Sequence, residues 1–140
     1  LYPKQKEMKK SAVCGIVVGD RILLLKRQYR VGKSNGWCIP GGKVELDETT
    51  LEGAIRETFE ETGIKVSDLI YVGECLSGSG EFMVSCYYTT IDSIPPVILS
   101  EREHSEYFWV SFDKLNNFIL AGNTPLFIDM IIADIKSENN

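Results

Sequence analysis

Hydrophobic positions fall in short runs separated by turn residues, and one stretch breaks that rhythm with helical spacing. After a polar lead-in over residues 1–10, Ala12 to Val18 is apolar and partly β-branched. Gly19-Asp20 then makes a turn, and Arg21 to Arg27 runs apolar again. That order predicts a strand hairpin. Tyr29 to Gly36 reads as a polar loop, and Trp37-Cys38-Ile39 as a short strand stopped by Pro40-Gly41-Gly42. From Thr49 to Thr62 the period changes. Leu51, Ala54, Ile55, Thr58, Phe59 and Thr62 return at helical intervals and share one side. Thr49 or Thr50 caps the start, Glu52 lies in the first turn, and Gly63 supplies the stop. Lys65 to Leu76 and Glu81 to Thr90 read as strands joined by a turn at residues 77–80, and Tyr107 to Val110 as a further strand. A short helical segment covers Asp113 to Leu115. A last helix starts near Thr124-Pro125 and runs to about Lys136, ahead of a polar tail over residues 137–140. Strands outnumber helices, so the expected class is α+β, a mixed sheet with helices on its faces.

Composition narrows the function. At 140 residues the chain suits one domain with its own core, expected to span residues 1–140. Hydrophobic residues at 44% and charged residues at 25% exclude disorder over the whole length. No apolar run is long enough to span a bilayer, so no membrane partner is expected. No basic-then-apolar leader precedes a small-residue cleavage site, and the four cysteines form no CxxC pair. The expected setting is the cytoplasm, with Cys14, Cys75 and Cys86 as small core residues. A single histidine, His104, makes a zinc site unexpected and reads as a surface residue. Fifteen basic against twenty acidic residues give a net charge of −5, which argues against a broad duplex nucleic-acid surface. A polyanionic small molecule remains open if a cation screens the site.

The candidate chemistry lies between Gly41 and Ile64. On a helical wheel Glu57, Glu60 and Glu61 fall together in an arc roughly 100° wide, beside the apolar arc. Residues three and four apart on a helix lie about 5–6 Å from each other, so these carboxylates repel and need compensation. A divalent hard cation provides it, since Mg²⁺ takes oxygen ligands and shares them with substrate phosphates. Gly53, one turn before Glu57, leaves a spot without a side chain where a ligand or a loop can approach. Gly41-Gly42 lets backbone groups come close to an ion or ligand. Glu45 and Glu48 add carboxylates on the way into the helix, and Arg56 can hold the acids in orientation.

Gly42, Glu48, Arg56, Glu57, Thr58, Glu60, Glu61, Gly63 and Ile64 together resemble the signature of the Nudix hydrolases. Thr58 stands where an aliphatic residue is usual, on the buried side of the wheel, and Asp47 replaces a commonly seen Gly. The resemblance implies a Nudix-type α/β/α sandwich with a mixed sheet, and hydrolysis of a nucleoside diphosphate linked to another group. It implies Mg²⁺ or Mn²⁺ held by Glu57, Glu60 and Glu61, with help from Glu48 and the Gly42 backbone. Arg56 would act with these acids. By its distance from Trp109, Glu103 matches a loop carboxylate used in MutT-type members as base. Arg27, Gly41 and Lys43 fall where similar enzymes contact substrate. Asn123, before Pro125, resembles a residue that meets a purine base, and Asn123 or Thr124 also suits the cap of the last helix. Residues 77–80 lack the Pro and Tyr that mark ADP-ribose and diadenosine-polyphosphate hydrolases of the family. The leading expectation is therefore a nucleoside triphosphate, normal or oxidised, cleaved to monophosphate and pyrophosphate. Nucleotide sugars, dinucleoside polyphosphates and RNA 5′ ends are the alternatives, the last guided by a basic strip of Lys26, Arg27, Arg30 and Lys33. A non-catalytic nucleotide sensor would be expected to have lost motif acids. The partner is a nucleotide, and a homodimer stays open as an arrangement.

Overall fold

The computed structural model describes residues 8–31 and 35–139. Among them the elements run β1 (Lys9–Val18), β2 (Arg21–Arg27), β3 (Trp37–Cys38), β4 (Gly41–Lys43), α1 (Thr50–Thr62), β5 (Ile70–Leu76), β6 (Phe82–Thr90), β7 (His104–Ser111) and α2 (Thr124–Glu138), with a 3₁₀ turn at Phe112–Asn117.

Alternating side-chain direction along the strands creates two cores. Ala12, Cys14 and Ile16 of β1, with Leu23 and Leu25 of β2, face Ala54 of α1. Val17, Ile22, Leu24, Cys86 and Tyr88 face Phe127, Ile128 and Ile131 of α2. Strands buried on both sides read as near-continuous apolar runs, which is why β1 and β2 were so plain in the sequence. Each fully buried aliphatic side chain contributes about 1.5–3 kcal/mol. The result is the expected α+β sandwich, a mixed sheet with one helix on each face.

The sheet has an internal gap. β1 runs parallel to β6 from Lys9 to Val17, with β5 antiparallel beyond it. On its other side β1 starts a hairpin with β2, but only Val17 and Val18 pair across it. β2 then turns to β7, which it follows from Arg21 to Arg27, and to β3 at Leu25 and Lys26. β4 occupies the edge of β1 that β2 has left, pairing Ser11 with Lys43 and Val13 with Gly41. Pro40 bridges the two, its carbonyl accepting the Cys14 N–H at 2.8 Å. Pro40-Gly41-Gly42 thus moves the chain from one strand to another, where a plain stop was expected.

Other expectations shift at their edges. β1 begins at Lys9, inside the expected lead-in, whose residues 1–7 lie outside the described residues, as does Lys33. Residues 65–69 are irregular rather than strand, with Asp68 in the left-handed region at φ 54°. β7 starts at His104, before Tyr107, and α2 runs past Lys136 into the expected tail. Cys38 joins Cys14 and Cys86 in the buried set, while Cys75 is half-buried.

In α1 the expected cap is present. Thr49 Oγ1 accepts the Glu52 N–H and the Glu52 carboxylate accepts the Thr49 N–H, a reciprocal capping box. Gly63 closes the helix at φ 73°, donating to the Phe59 carbonyl. The buried stripe is rotated from the expected one. Leu51 and Phe59 are exposed, and the Lys65 ammonium lies 5.8 Å from the Phe59 ring centre. Ala54, Thr58 and Thr62 are buried as expected, and Gly53 and Glu61 join them in place of Leu51 and Phe59. Small side chains on this stripe let α1 lie close to β1 and β4, and that closeness carries Glu61 inward. Among the described residues no helix is long and apolar enough to cross a membrane.

Candidate metal and substrate site

Three segments meet at a corner that two glycines allow. A Cβ added to Gly42 on β4 would stand 2.5 Å from Glu57 Cδ. A Cβ added to Gly53 on α1 would stand 3.0 Å from Val44 Cγ2 and 3.1 Å from Glu48 Oε1. The bare spot expected at Gly53 therefore receives the preceding loop. That loop folds over itself, Glu48 Oε1 accepting the Glu45 N–H at 2.9 Å.

Arg56 organises the acids around this corner. Its guanidinium donates to Glu48 through Nε at 3.1 Å and Nη2 at 2.7 Å, a two-pronged contact that suits the planar fork. Nη1 donates to Glu57 at 3.0 Å and to Glu60 at 3.3 Å, and Nη2 also reaches the Lys43 carbonyl at 2.9 Å. Arg56 holds the Glu48 carboxyl below its usual range, while its own pKa rises further, chiefly through Glu48. Burial pushes Glu57 up against the opposing effect of Arg56. One guanidinium cannot balance three carboxylates.

Glu61 is the sharper case. It is 4% exposed, and its Oε1 accepts the Gly41 N–H at 2.8 Å. Burial first, then hydrogen bonding to the neighbouring Glu103 carboxyl, pushes it up to about 9 in the absence of a cation. Glu103 arrives there because the loop after β6 docks on the end of α1. Ile98 N–H donates to the Thr62 carbonyl and Ser100 N–H to the Glu61 carbonyl. The turn that follows is held by Gln28 and Arg30, which donate to the Glu101 and Arg102 carbonyls.

His104 departs from expectation. It is buried, not a surface residue. The β2–β7 register shifts between Lys26 and Arg27, so that Arg27 faces His104 where regular pairing would continue through Ser105. Such a bulge re-aims a side chain, and here it turns the imidazole in. Burial lowers its pKa. Nitrogen or oxygen atoms of Glu61, Glu103 and His104 lie within 4.8 Å of one another. The sequence hid this because the shift depends on the partner strand.

A cleft of about 730 Å³ runs along the gap between β1 and β2. Arg27, Gly41, Gly42, Glu61, Glu103 and Asn123, all picked out from sequence, line it. Two others differ. The Lys43 ammonium lies 5.6 Å from the Phe82 ring centre, away from the cleft lining. Asn123 precedes α2 without a side-chain cap bond; its amide donates instead to the Leu76 carbonyl at 2.8 Å, because Asn123 packs beside the end of β5.

The donor set is carboxylate and backbone oxygen with excess negative charge, which fits a hard divalent cation. Among the described residues, Glu61, Glu103 and His104 bring ligand atoms within reach of one ion, while Glu48, Glu57 and Glu60 converge on Arg56. A cation there would let the buried Glu61 carry its charge.

The NUDIX domain family model matches residues 8–129. A MutT-like protein of Streptomyces ambofaciens is 47% identical over 122 residues, covering 75% of this chain and 76% of that protein. A Mycobacterium tuberculosis protein, named provisionally as an 8-oxo-dGTP diphosphatase, is 29% identical over 109 residues, 75% of each. A MutT Nudix hydrolase from Burkholderia pseudomallei superposes with a TM-score of 0.78 at 25% identity, over 90% of this chain and 99% of that one. The match takes in β4, the acid-bearing helix and the cleft on which they open, and it makes this chain a member of the Nudix family of pyrophosphohydrolases.

Proposed function

We propose that this protein is a divalent-metal-dependent hydrolase that splits a nucleoside triphosphate, normal or oxidised, into a nucleoside monophosphate and pyrophosphate. The observation that carries the reading is the convergence of Glu48, Glu57 and Glu60 on Arg56, beside a buried Glu61 that shares its place with Glu103. Glu48, Glu57, Glu60, Glu61 and the Gly42 backbone would hold Mg²⁺ or Mn²⁺, which would screen phosphate charge and lower the pKa of a bound water. The chain's own residues do the rest. Arg56 fixes the rotamers of three acids. Gly41 N–H fixes Glu61. Glu103, on the cleft wall next to Glu61, is placed to accept a proton from the attacking water. Arg27 and Asn123 line the same cleft; Arg27 offers a cation for phosphate, and Asn123, whose amide nitrogen donates to the Leu76 carbonyl, offers its amide oxygen for a base edge.

The triphosphate reading is supported by the 8-oxo-dGTP diphosphatase name of the Mycobacterium tuberculosis relative and by the missing Pro and Tyr at residues 77–80. RNA 5′ ends fit less well. Lys26 pairs with Glu106 at 3.2 Å and Arg30 donates to the Arg102 carbonyl, so two members of the basic strip are engaged within the fold.

The test is a hydrolysis panel with Mg²⁺ and with EDTA, containing the four dNTPs, 8-oxo-dGTP, GTP, ADP-ribose, a GDP-sugar and a diadenosine polyphosphate. Metal-dependent pyrophosphate release from one triphosphate is the expected result. Two monophosphates from a sugar nucleotide, or tight binding without turnover, would overturn it. Glu57→Gln and Glu61→Gln should each lower kcat at least ~10²-fold with the fold intact.

A further inference from the structure

We infer that His104 is a positioning residue for Glu61: its imidazole, wedged between the Cys38 thiol and the Glu61 carboxylate, holds that carboxylate in the orientation that takes a divalent cation. This deepens the metal-dependent reading above and rests on it.

The geometry is a buried row of three side chains. His104 and Cys38 are each 5% exposed. His104 Nε2 lies 3.7 Å from Cys38 Sγ, and His104 Nδ1 lies 3.9 Å from Glu61 Oε2. Nδ1 is buried without a hydrogen-bond partner. Cys38 Sγ also lies 3.6 Å from the Leu25 carbonyl. Glu103 and Arg27 flank the ring with opposite charges.

Proton counting selects one tautomer. A neutral imidazole carries one N–H, on Nε2 or on Nδ1, and a thiol one S–H. With that proton on Nε2, the Nδ1 lone pair would face the lone pairs of Glu61 once a cation lets that carboxylate carry its charge, which is repulsive in a buried site. With it on Nδ1, the N–H points at Glu61 and Nε2 accepts from the Cys38 thiol. A donor then faces an acceptor on both sides of the ring. The contact at 3.9 Å is longer than a hydrogen bond. It shortens when Glu61 carries full charge against a cation, since a charged acceptor draws its donor closer. Gly41 N–H already pins Oε1, so a donor on Oε2 fixes the rotation of the carboxylate from both sides. Ligating carboxylates are themselves hydrogen-bonded as a rule, and losing such a partner typically weakens metal binding ~10–100-fold.

The chain has one histidine, so its imidazole nitrogens are read by NMR without assignment. The experiment titrates ¹⁵N-labelled protein with Mg²⁺ and measures Mn²⁺ affinity by electron paramagnetic resonance in the wild type, His104→Phe and His104→Asn. Expected are a protonated Nδ1 whose signal moves with Mg²⁺, a ~10–100-fold weaker Mn²⁺ affinity in His104→Phe, and recovery of most of it in His104→Asn, whose amide can donate from nearly the Nδ1 position. Imidazole signals unmoved by Mg²⁺ in a wild type that binds Mn²⁺ would overturn the inference even if neither variant folds. Equal Mn²⁺ affinity in folded His104→Phe would do the same. Nitrogen hyperfine coupling to bound Mn²⁺ would also overturn it, making Nδ1 a direct ligand. A folded wild type that binds no Mn²⁺ overturns the metal-dependent reading itself, and this inference with it.

Discussion

Replacing Gly42 with alanine should disable the site while leaving the fold intact, whereas the neighbouring Gly41→Ala should destabilise the fold. The new Cβ at position 42 would stand 2.5 Å from Glu57 Cδ. Non-bonded carbons settle near 3.5–4.0 Å, so the carboxylate must move about 1 Å. The obstructing atoms are the far end of a flexible side chain, and Gly42 is not at positive φ, so the backbone accepts alanine. Alanine also narrows the unfolded ensemble, worth about 0.4–1 kcal/mol where it fits. A misplacement of about 1 Å at a catalytic centre costs about 10²-fold in rate. At position 41 the Cβ would stand 2.4 Å from the Ala12 carbonyl oxygen and 2.7 Å from Val13 Cα, which are backbone of β1 and cannot swing aside. Overpacking of that kind costs about 1–3 kcal/mol. Thermal unfolding, Mn²⁺ affinity by calorimetry and kcat by pyrophosphate release separate the two. Gly42→Ala with wild-type turnover and Mn²⁺ affinity would refute the reasoning. So would a loss of stability in Gly42→Ala as large as in Gly41→Ala.

Arg56→Lys keeps the charge but loses the fork that spans Glu48, Glu57 and Glu60; Mn²⁺ affinity should fall ~10–100-fold by calorimetry, and an unchanged value would show that charge alone suffices. Thr49→Ala removes the capping box of α1 and should cost ~1 kcal/mol in urea unfolding, with loss below a few tenths counting against the cap. Tyr88→Phe removes the bond from a buried hydroxyl to Asp134 at 2.6 Å, and a loss of about 0.5–1.5 kcal/mol is expected in the same assay.

Local signals carried most of the α1 region. Thr49, Glu52 and Gly63 write their helix ends into adjacent residues, and the glycines at 42 and 53 announce close approach. What the sequence could not carry was anything set by a distant partner. The inward turn of His104 needs the register of β7 on β2, read only once both strands are placed. The rotation that exposes Phe59 and buries Glu61 follows from how near α1 lies to β4. Lys43 was read from its place in the motif and Asn123 from its place before Pro125, but the Phe82 ring and the end of β5 decide where their side chains go.

The sheet pairs the first half of the chain with the second: β1 lies beside β6, and β2 beside β7. A polypeptide emerging from the ribosome presents Glu48, Arg56, Glu57, Glu60 and Glu61 before either of those late strands exists. Since long-range pairing comes late, the nascent segment ending at Gly63 would hold a crowd of like charges with neither Glu103 nor a closed cleft. The site is therefore completed late in the chain's own order, when β7 pairs with β2 and brings Glu103 and His104 to Glu61.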